Sequence, residues 1–440
     1  MKPSLKQLSE VATPFASVAE ELTIAELNQP WLNDLRKQAT EQFNAQGLPS
    51  KKVEDWKYTS LWNFGRQSFS HDAAANSVSL EQVEQAALLN GGYRVVIVDG
   101  QFSSELSQLD NLETGLTVSS LTAGAELVQQ HLGQQVDVEK AGLTALNTML
   151  MRDGIVITVA ADTEISQPIE LLVINSGATD NLAVHLRNVV VVKESSKATF
   201  VEHYVGLADS ASMTNVVTEV VLEEAADLEH YKLQQESDSA FHIATLAAKQ
   251  AANSNWHTNN ISLGAQLARN DVHSRLEGEK SHTTMDGLYL VSDKQHVDNH
   301  TRIDHLVPNT TSNELYKGVL DDDSHAVFNG KVMVHKDAQK TDSNQSNHNL
   351  LLSRGCEIDT KPEMEIYADD VKCGHGSTVG QINEDQLFFL RARGLDEVSA
   401  RSLLTYAFAV DVLERIPSEE IKTALANVIE QRLPRGGAES

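Results

Sequence analysis

Short apolar runs recur along the middle of this chain, and they constrain its fold more than any other feature. Residues 95–98, 155–159, 169–174, 189–192, 216–222, 228–233, 242–246 and 261–263 are such runs. Polar turns such as Ala160-Ala-Asp-Thr163 and Glu194-Ser-Ser-Lys197 separate them. Almost no helical periodicity intervenes. Regular short strands point to a sandwich, a barrel or a solenoid. The stretch from 93 to 382 is long for one sandwich. A solenoid of stacked parallel strands fits it better, because each coil buries its inner face on its neighbours.

Helical regions are expected on both sides, giving three units: 1–92, 93–382 and 383–440. In the first, Leu32, Leu35, Ala39 and Phe43 recur at helical spacing, and Gly47-Leu48-Pro49 ends the run. Trp56, Tyr58, Trp62 and Phe64 form an aromatic cluster. It reads either as a partner surface or as packing of this region onto the core, and packing is the expectation. In the third unit, Asn383 with Gln386 resembles a capping box, and Gly394 suits the end of a short helix. Leu403, Tyr406, Ala407, Val410 and Leu413 mark one side of a second helix. Pro417-Ser418 breaks the pattern, and Ile421, Leu425, Val428 and Arg432 resume it until Pro434. The tail from Arg435 to Ser440 is expected to be disordered.

The chemistry-bearing stretch is Glu365-Ile-Tyr-Ala-Asp-Asp-Val-Lys-Cys-Gly-His-Gly-Ser-Thr-Val-Gly380. The chain has two cysteines, and Cys373 stands two residues from His375. Read as strand, the run places residues i and i+2 on one face. A thiolate and an imidazole side by side suit zinc or iron. The alternative is a buried cysteine beside a hydrogen-bonded histidine.

Residues 365–395, EIYADDVKCGHGSTVGQINEDQLFFLRARGL, closely resemble a signature of the SufB/SufD family of the SUF iron–sulfur cluster assembly machinery, in its SufD branch. Gly47-Leu-Pro-Ser-Lys-Lys-Val-Glu-Asp-Trp-Lys-Tyr-Thr59 and Val95-Val-Ile-Val-Asp-Gly-Gln-Phe102 resemble other family segments, so the likeness spans nearly the whole chain. Gly374 stands where serine is expected, and Ser377 where alanine is expected. Neither change removes a metal ligand. The sister branch, SufB, is usually longer and carries additional cysteines, which this chain lacks.

The resemblance implies a right-handed parallel β-helix and a non-catalytic scaffold subunit. It implies pairing with SufB through the β-helices, one SufC ATPase on each half, and a nascent iron–sulfur cluster held at the SufB–SufD junction. His375 would be the cluster ligand contributed by this chain, with Cys373 a second candidate. Reduced flavin is linked with the whole complex. The C-terminal helices are expected to dock the ATPase, and a homodimer is expected when the chain is alone.

Composition narrows the other classes. A net charge of −27, without a basic run, argues against nucleic acid, which needs clustered Lys and Arg. No run of about 18 apolar residues suggests a membrane span. The first 21 residues lack the apolar core of a secretory signal, and with so few cysteines a disulfide framework is not expected. A cytoplasmic location follows as the expectation. No G-x-x-x-x-G-K-[ST] pattern occurs, so ATP is not expected to bind this chain in that way. There is no C-x-x-C pair for a cysteine-only cluster. The histidines are numerous: His273, His282, His296, His300, His305, His325, His335 and His348 crowd the later core. His296 and His300, i and i+4 on a strand, lie too far apart to chelate one ion. Asp321-Asp322-Asp323 reads as a solvated turn rather than a divalent-ion site. Two other classes stay open: a carbohydrate-active β-helix enzyme and a metal-free structural adaptor.

Overall fold

The computed structural model describes residues 29–74, 78–123, 125–136 and 141–433, together with Phe15. The expected disordered tail lies outside them. In chain order the elements are α1 (Pro30–Gln46), α2 (Leu80–Ala86), β1 (Tyr93–Val98), β2 (Gln101–Phe102), β3 (Leu116–Ser120), α3 (Ala125–His131) and α4 (Gly142–Leu150). Then come β4 (Ile155–Val159), β5 (Ile169–Asn175), β6 (Leu182–Val192), β7 (Lys197–Gly206), β8 (Ser212–Leu222), β9 (Asp227–Gln235), β10 (Phe241–Gln250), β11 (Asn255–Ser262) and β12 (Leu267–Leu276). After β13 (His282–Val291), β14 (His296–His305), β15 (Thr311–Leu320), β16 (His325–Val334), β17 (Asp342–Leu351), β18 (Glu357–Ile366) and β19 (Lys372–Gly380), the chain ends in α5 (Glu384–Arg391), α6 (Glu397–Val410) and α7 (Glu419–Arg432).

From β4 onward, successive strands alternate between two sheets. The even-numbered strands β4 to β18 form one sheet with β3, and the odd-numbered strands β5 to β19 form the other with β1 and β2. Among the described strands every ladder between β4 and β19 is parallel, and the β1–β2 and β3–β4 ladders are antiparallel. This is a parallel β-helix of about eight coils. The repeat shows in the register: Leu267 pairs with His296, and His296 with His325.

The coils turn through stacked corners with left-handed backbone. Ser195, Ala225 and Asn253 carry φ values of 54°, 56° and 56°, and their N–H groups bond Glu224 O, Ala252 O and Glu279 O in the next coil. The cost of positive φ outside glycine is offset by these repeated bonds. Asp322 (φ 52°) sits at a similar corner, so the triple acid is an exposed turn.

Inside the early coils the column is aliphatic and aromatic: Val190, Val192, Phe200, Val216, Val220 and Leu228 are buried together. The later coils differ. Inward positions hold Ser312, Glu314, Ser343, Gln345 and Asn347, all buried. These polar inward positions weaken the pattern, and sequence reading finds no strand between residue 263 and the run at 365–380. β17, Asp-Ser-Asn-Gln-Ser-Asn-His-Asn-Leu-Leu, has polar residues inside as well as outside. The expectation of little helix in the middle region also fails at α3 and α4. α4 packs under α1, with all nine of its residues buried.

The N-terminal region covers the outer face of the even sheet. Trp56 lies on the Arg269 guanidinium at 4.1 Å, and the Phe64 ring meets Phe241 edge-on at 5.5 Å. Trp56 and Phe64 are buried, so packing is the role these two play. α1 buries Leu32, Ala39 and Phe43 and stops at Gly47 (φ 64°).

The C-terminal helices cover the outer face of the odd sheet. Ile421, Leu425 and Ile429 of α7 share a cluster with Tyr231, Leu233, Ile261, Leu288 and Val319. Asn383 caps α5 by accepting from the N–H groups of Asp385 and Gln386; Ser418 caps α7. The expected stripe on α6 holds in part: Leu413 is buried and Tyr406 and Val410 pack against the same cluster, but Leu403 and Ala407 are exposed, and Ala400, Thr405 and Ala409 are the buried residues of the helix. Small residues let α6 approach its neighbours closely, with Leu404, Tyr406, Phe408 and Val410 half-buried beside them. Among the described residues, no helix is long and apolar enough to cross a membrane.

Candidate functional site at the open end of the solenoid

The signature does not fold as one strand. Ile366 ends β18, residues 367–371 turn, and β19 carries Cys373 and His375. β18 and β19 are the outermost strands of their sheets, so the signature builds the last coil.

Register fixes which way the pair faces. Cys373 aligns with Ser343, and His375 with Gln345. Ser343 and Gln345 point into the solenoid and are buried. Residues in register on a parallel sheet share a face, so Cys373 and His375 continue the inner column where it opens. Cys373 is half-buried and His375 exposed. Cys356, Ile358 and Met364 also pack against the core in the last coil, but Cys356 lies at its other corner, bonded to Leu320 O at the far end of β15. Cys356 donates its S–H to Ser353 O at 3.2 Å.

Burial pushes the Cys373 thiol up, and the nearby Asp342 carboxylate adds to this. At neutral pH the thiol therefore keeps its proton until a metal displaces it. An iron of a cluster takes protein ligands beside its sulfides. Cys373 and His375 offer at most two donors, on one side of an open coil end.

The backbone edge is equally exposed. Lys372 N donates to Thr341 O, which fixes the parallel pattern. Residues 372, 374, 376, 378 and 380 turn their N–H and C=O to β17, and Cys373, His375, Ser377 and Val379 turn theirs to the free edge. A Cβ at Gly376 or Gly380 would meet nothing within 4 Å. These glycines thus leave the edge uncluttered rather than fitting a tight site. Ile366, Tyr367 and Val379 add exposed apolar surface at this end.

A second exposed surface lies on the C-terminal helices. Phe388 and Phe389 of α5 are 74% and 54% exposed, and Val398 and Leu403 of α6 are also exposed. The Arg393 guanidinium stacks on the Phe389 ring at 3.3 Å.

The other histidines are held in the fold. His296 Nε2 bonds Thr59 Oγ1 at 2.8 Å, while His300 Nε2 pairs with Asp298 Oδ1 at 3.0 Å, so the two do not converge on one ion. His325, Glu357 and Asp359 do converge on the outer face of the last coils, with donor atoms within 4.8 Å of one another. His325 Nε2 is already paired with Asp359 Oδ2 at 2.9 Å.

Comparison with known proteins identifies the family of the chain. The family description "SUF system FeS cluster assembly, SufBD core domain" matches residues 173–408, and "SufBD protein N-terminal region" matches residues 18–171. An iron–sulfur cluster assembly SufBD family protein of Synechocystis is 32% identical over 443 residues, covering 96% of each chain. The iron–sulfur cluster assembly protein SufD of Escherichia coli is 31% identical, covering 91% of this chain and 92% of its own. SufD of Bacillus subtilis is 26% identical over 92% of this chain and 94% of its own. A parallel β-helix whose signature forms the last coil, matched along its length in this way, belongs to the SufBD family of SUF-system iron–sulfur cluster assembly proteins, as a SufD-like member.

Proposed function

We propose that this chain is the non-catalytic, cytoplasmic scaffold half of an iron–sulfur cluster assembly complex. It pairs with a SufB-type chain through its last coil, and the nascent cluster is the cargo held between them. His375 supplies the ligand from this side, with Cys373 as a second donor. The carrying observation is the placement of both residues on the inner column of the outermost strand, beside a free backbone edge. A partner adding a strand there satisfies that edge and brings its own ligands to the same opening. A neutral imidazole at neutral pH releases iron more readily on protonation than a thiolate does, which suits a cluster that is handed on.

The C-terminal helices dock the SufC-type ATPase. Support comes from the exposed Phe388, Phe389, Val398 and Leu403 on the neighbouring helices α5 and α6, since large exposed apolar side chains gathered on one region mark an interaction surface. This chain binds no nucleotide itself, and reduced flavin acts at the level of the whole complex. The acidic surface selects partners with basic faces.

The test is anaerobic reconstitution of the three-subunit complex, read by visible absorbance and bound iron. His375→Ala should leave assembly intact and lower cluster yield sharply, with a smaller loss for Cys373→Ala. Wild-type yield from His375→Ala would overturn the ligand role. Loss with Cys373→Ala alone would exchange the two roles.

A further inference from the structure

The column beneath His375 is built in an unusual way. Glu314, Gln345 and His375 occupy one register position on β15, β17 and β19. Strand spacing of about 4.8 Å separates each from the next. Glu314 and Gln345 are 2% and 1% exposed, inside a parallel β-helix whose earlier coils fill such positions with apolar groups. Gln345 Nε2 donates to Glu314 Oε2 at 2.7 Å. The space for that amide comes from Gly330 on the opposite sheet: a Cβ there would lie 2.3 Å from Nε2. Any other residue at 330 would displace the amide.

Gln345 Oε1 is buried and has no hydrogen-bond partner among the described residues, His375 included. A planar carboxamide that gives its N–H to Glu314 turns its oxygen to another side. A buried acceptor left unpaired costs about 1–3 kcal/mol, so its retention calls for a donor. The next residue in the column is His375, whose ring carries N–H. Imidazoles that bind metal through one nitrogen commonly give the other N–H to a carbonyl or carboxylate, which fixes the ring's tautomer and direction.

We propose that Gln345, locked by Glu314, is the positioning residue of His375: when the His375 ring turns inward over the column, Oε1 accepts one imidazole N–H and leaves the other nitrogen free to face iron. This rests on the reading of His375 as a cluster ligand. Burial lifts the Glu314 carboxyl to about 7, but in either protonation state it keeps an oxygen that accepts from Gln345, so the lock survives.

The experiment reads the His375 ring in the full chain before any cluster is added. Histidine is labelled with 15N, and the His375 signals are assigned by their loss in His375→Ala. Wild type should show one dominant neutral tautomer. Gln345→Leu, close in size, should shift His375 toward the tautomer mixture of a free imidazole, and Glu314→Leu should do the same. Glu314→Gln retains an acceptor oxygen and should restore the wild-type ring. In the reconstituted complex Gln345→Leu should shorten cluster retention about tenfold or more. An unchanged tautomer in folded Gln345→Leu overturns the proposal even if His375→Ala abolishes the cluster. A shifted tautomer with unaltered cluster retention supports the contact and instead counts against His375 as a ligand.

Discussion

Arg415 reaches from the turn between α6 and α7 to Asp286, a fully buried carboxylate on the outer face of β13, with Nη1 2.7 Å from Oδ1. Asp286 has a second cationic partner, His257 Nε2, at 3.3 Å. The C-terminal helices are therefore tied to the solenoid by a buried charge as well as by apolar packing. Arg415→Ala leaves His257 as the only cation on Asp286. Hydrogen bonds to charged groups contribute about 1.5–3 kcal/mol, and a loss of that order is expected. It should appear as a lower urea midpoint with an unchanged slope. An unchanged midpoint would mean that the pair contributes nothing.

His257 gives this contact a pH signature. Burial opposes its charge, but hydrogen bonds to Asp286 and Glu229 overcome that and raise it to about 9. The folded state thus binds the proton more tightly than the unfolded chain, whose histidine titrates near 6.5. The stabilisation is complete below about 6.5 and is lost as pH rises towards 9. Its size should be on the order of 1–3 kcal/mol. Urea melts from pH 6 to 9 should show the decline, and His257→Gln should flatten it. A wild-type profile that is flat across this window contradicts the assignment.

The early strands were legible because their inward residues are apolar, as in Val189–Val192 of β6. Beyond Leu263 polar residues such as Ser312, Glu314, Ser343, Gln345 and Asn347 share the inner column with apolar ones such as Met285, Tyr289, Val332 and Val334, and the local pattern weakens. What remains is a register repeat between parallel strands, which no local pattern reveals. The aromatic residues Trp56 and Phe64 were read correctly as packing, since burying them needs only a face to cover. Cys373 and His375 were paired by i, i+2 spacing alone. Their place at an open end, with Ser343 and Gln345 beneath them, depends on separate strands and the order in which they stack.

Truncation after Gln381 tests how independent the C-terminal helices are. They bury Leu233, Ile261, Leu288 and Val319 of the odd sheet. Removing them would expose a contiguous apolar face and leave Asp286 without Arg415. The truncated chain should bind a hydrophobic dye, aggregate, and melt at a lower temperature than the full chain. A soluble, cooperatively folded product with wild-type thermal stability would show the helices to be an appendage.

The exposed phenylalanines of α5 separate docking from folding. Phe388 is 74% exposed, so Phe388→Ser should change stability by about 0.5 kcal/mol or less. At the centre of an interface, loss of such an aromatic anchor costs about 2 kcal/mol or more, a fall of roughly 30-fold in affinity. Titration of a purified SufC-type ATPase onto wild type and variant, by calorimetry, measures the difference. Equal affinities would move the docking site elsewhere.

The free edge of β19 makes the last prediction. Ser377 directs its N–H away from β17, so replacing it by proline removes a donor from the open edge without breaking a bond inside the sheet. Edge strands that present unpaired groups invite pairing with another chain, and in isolation the available partner is a second copy. The wild-type chain should therefore dimerise at tens of micromolar, a range where moderate association is measurable. Ser377→Pro should weaken the dimer about tenfold or more while the far-ultraviolet circular dichroism stays the same. Sedimentation velocity across a dilution series distinguishes the two chains. A wild-type chain that remains monomeric throughout would rule out edge pairing between copies. A Ser377→Pro dimer as tight as wild type would place the contact on another surface, and the helical patch around Phe388 would be the next to test.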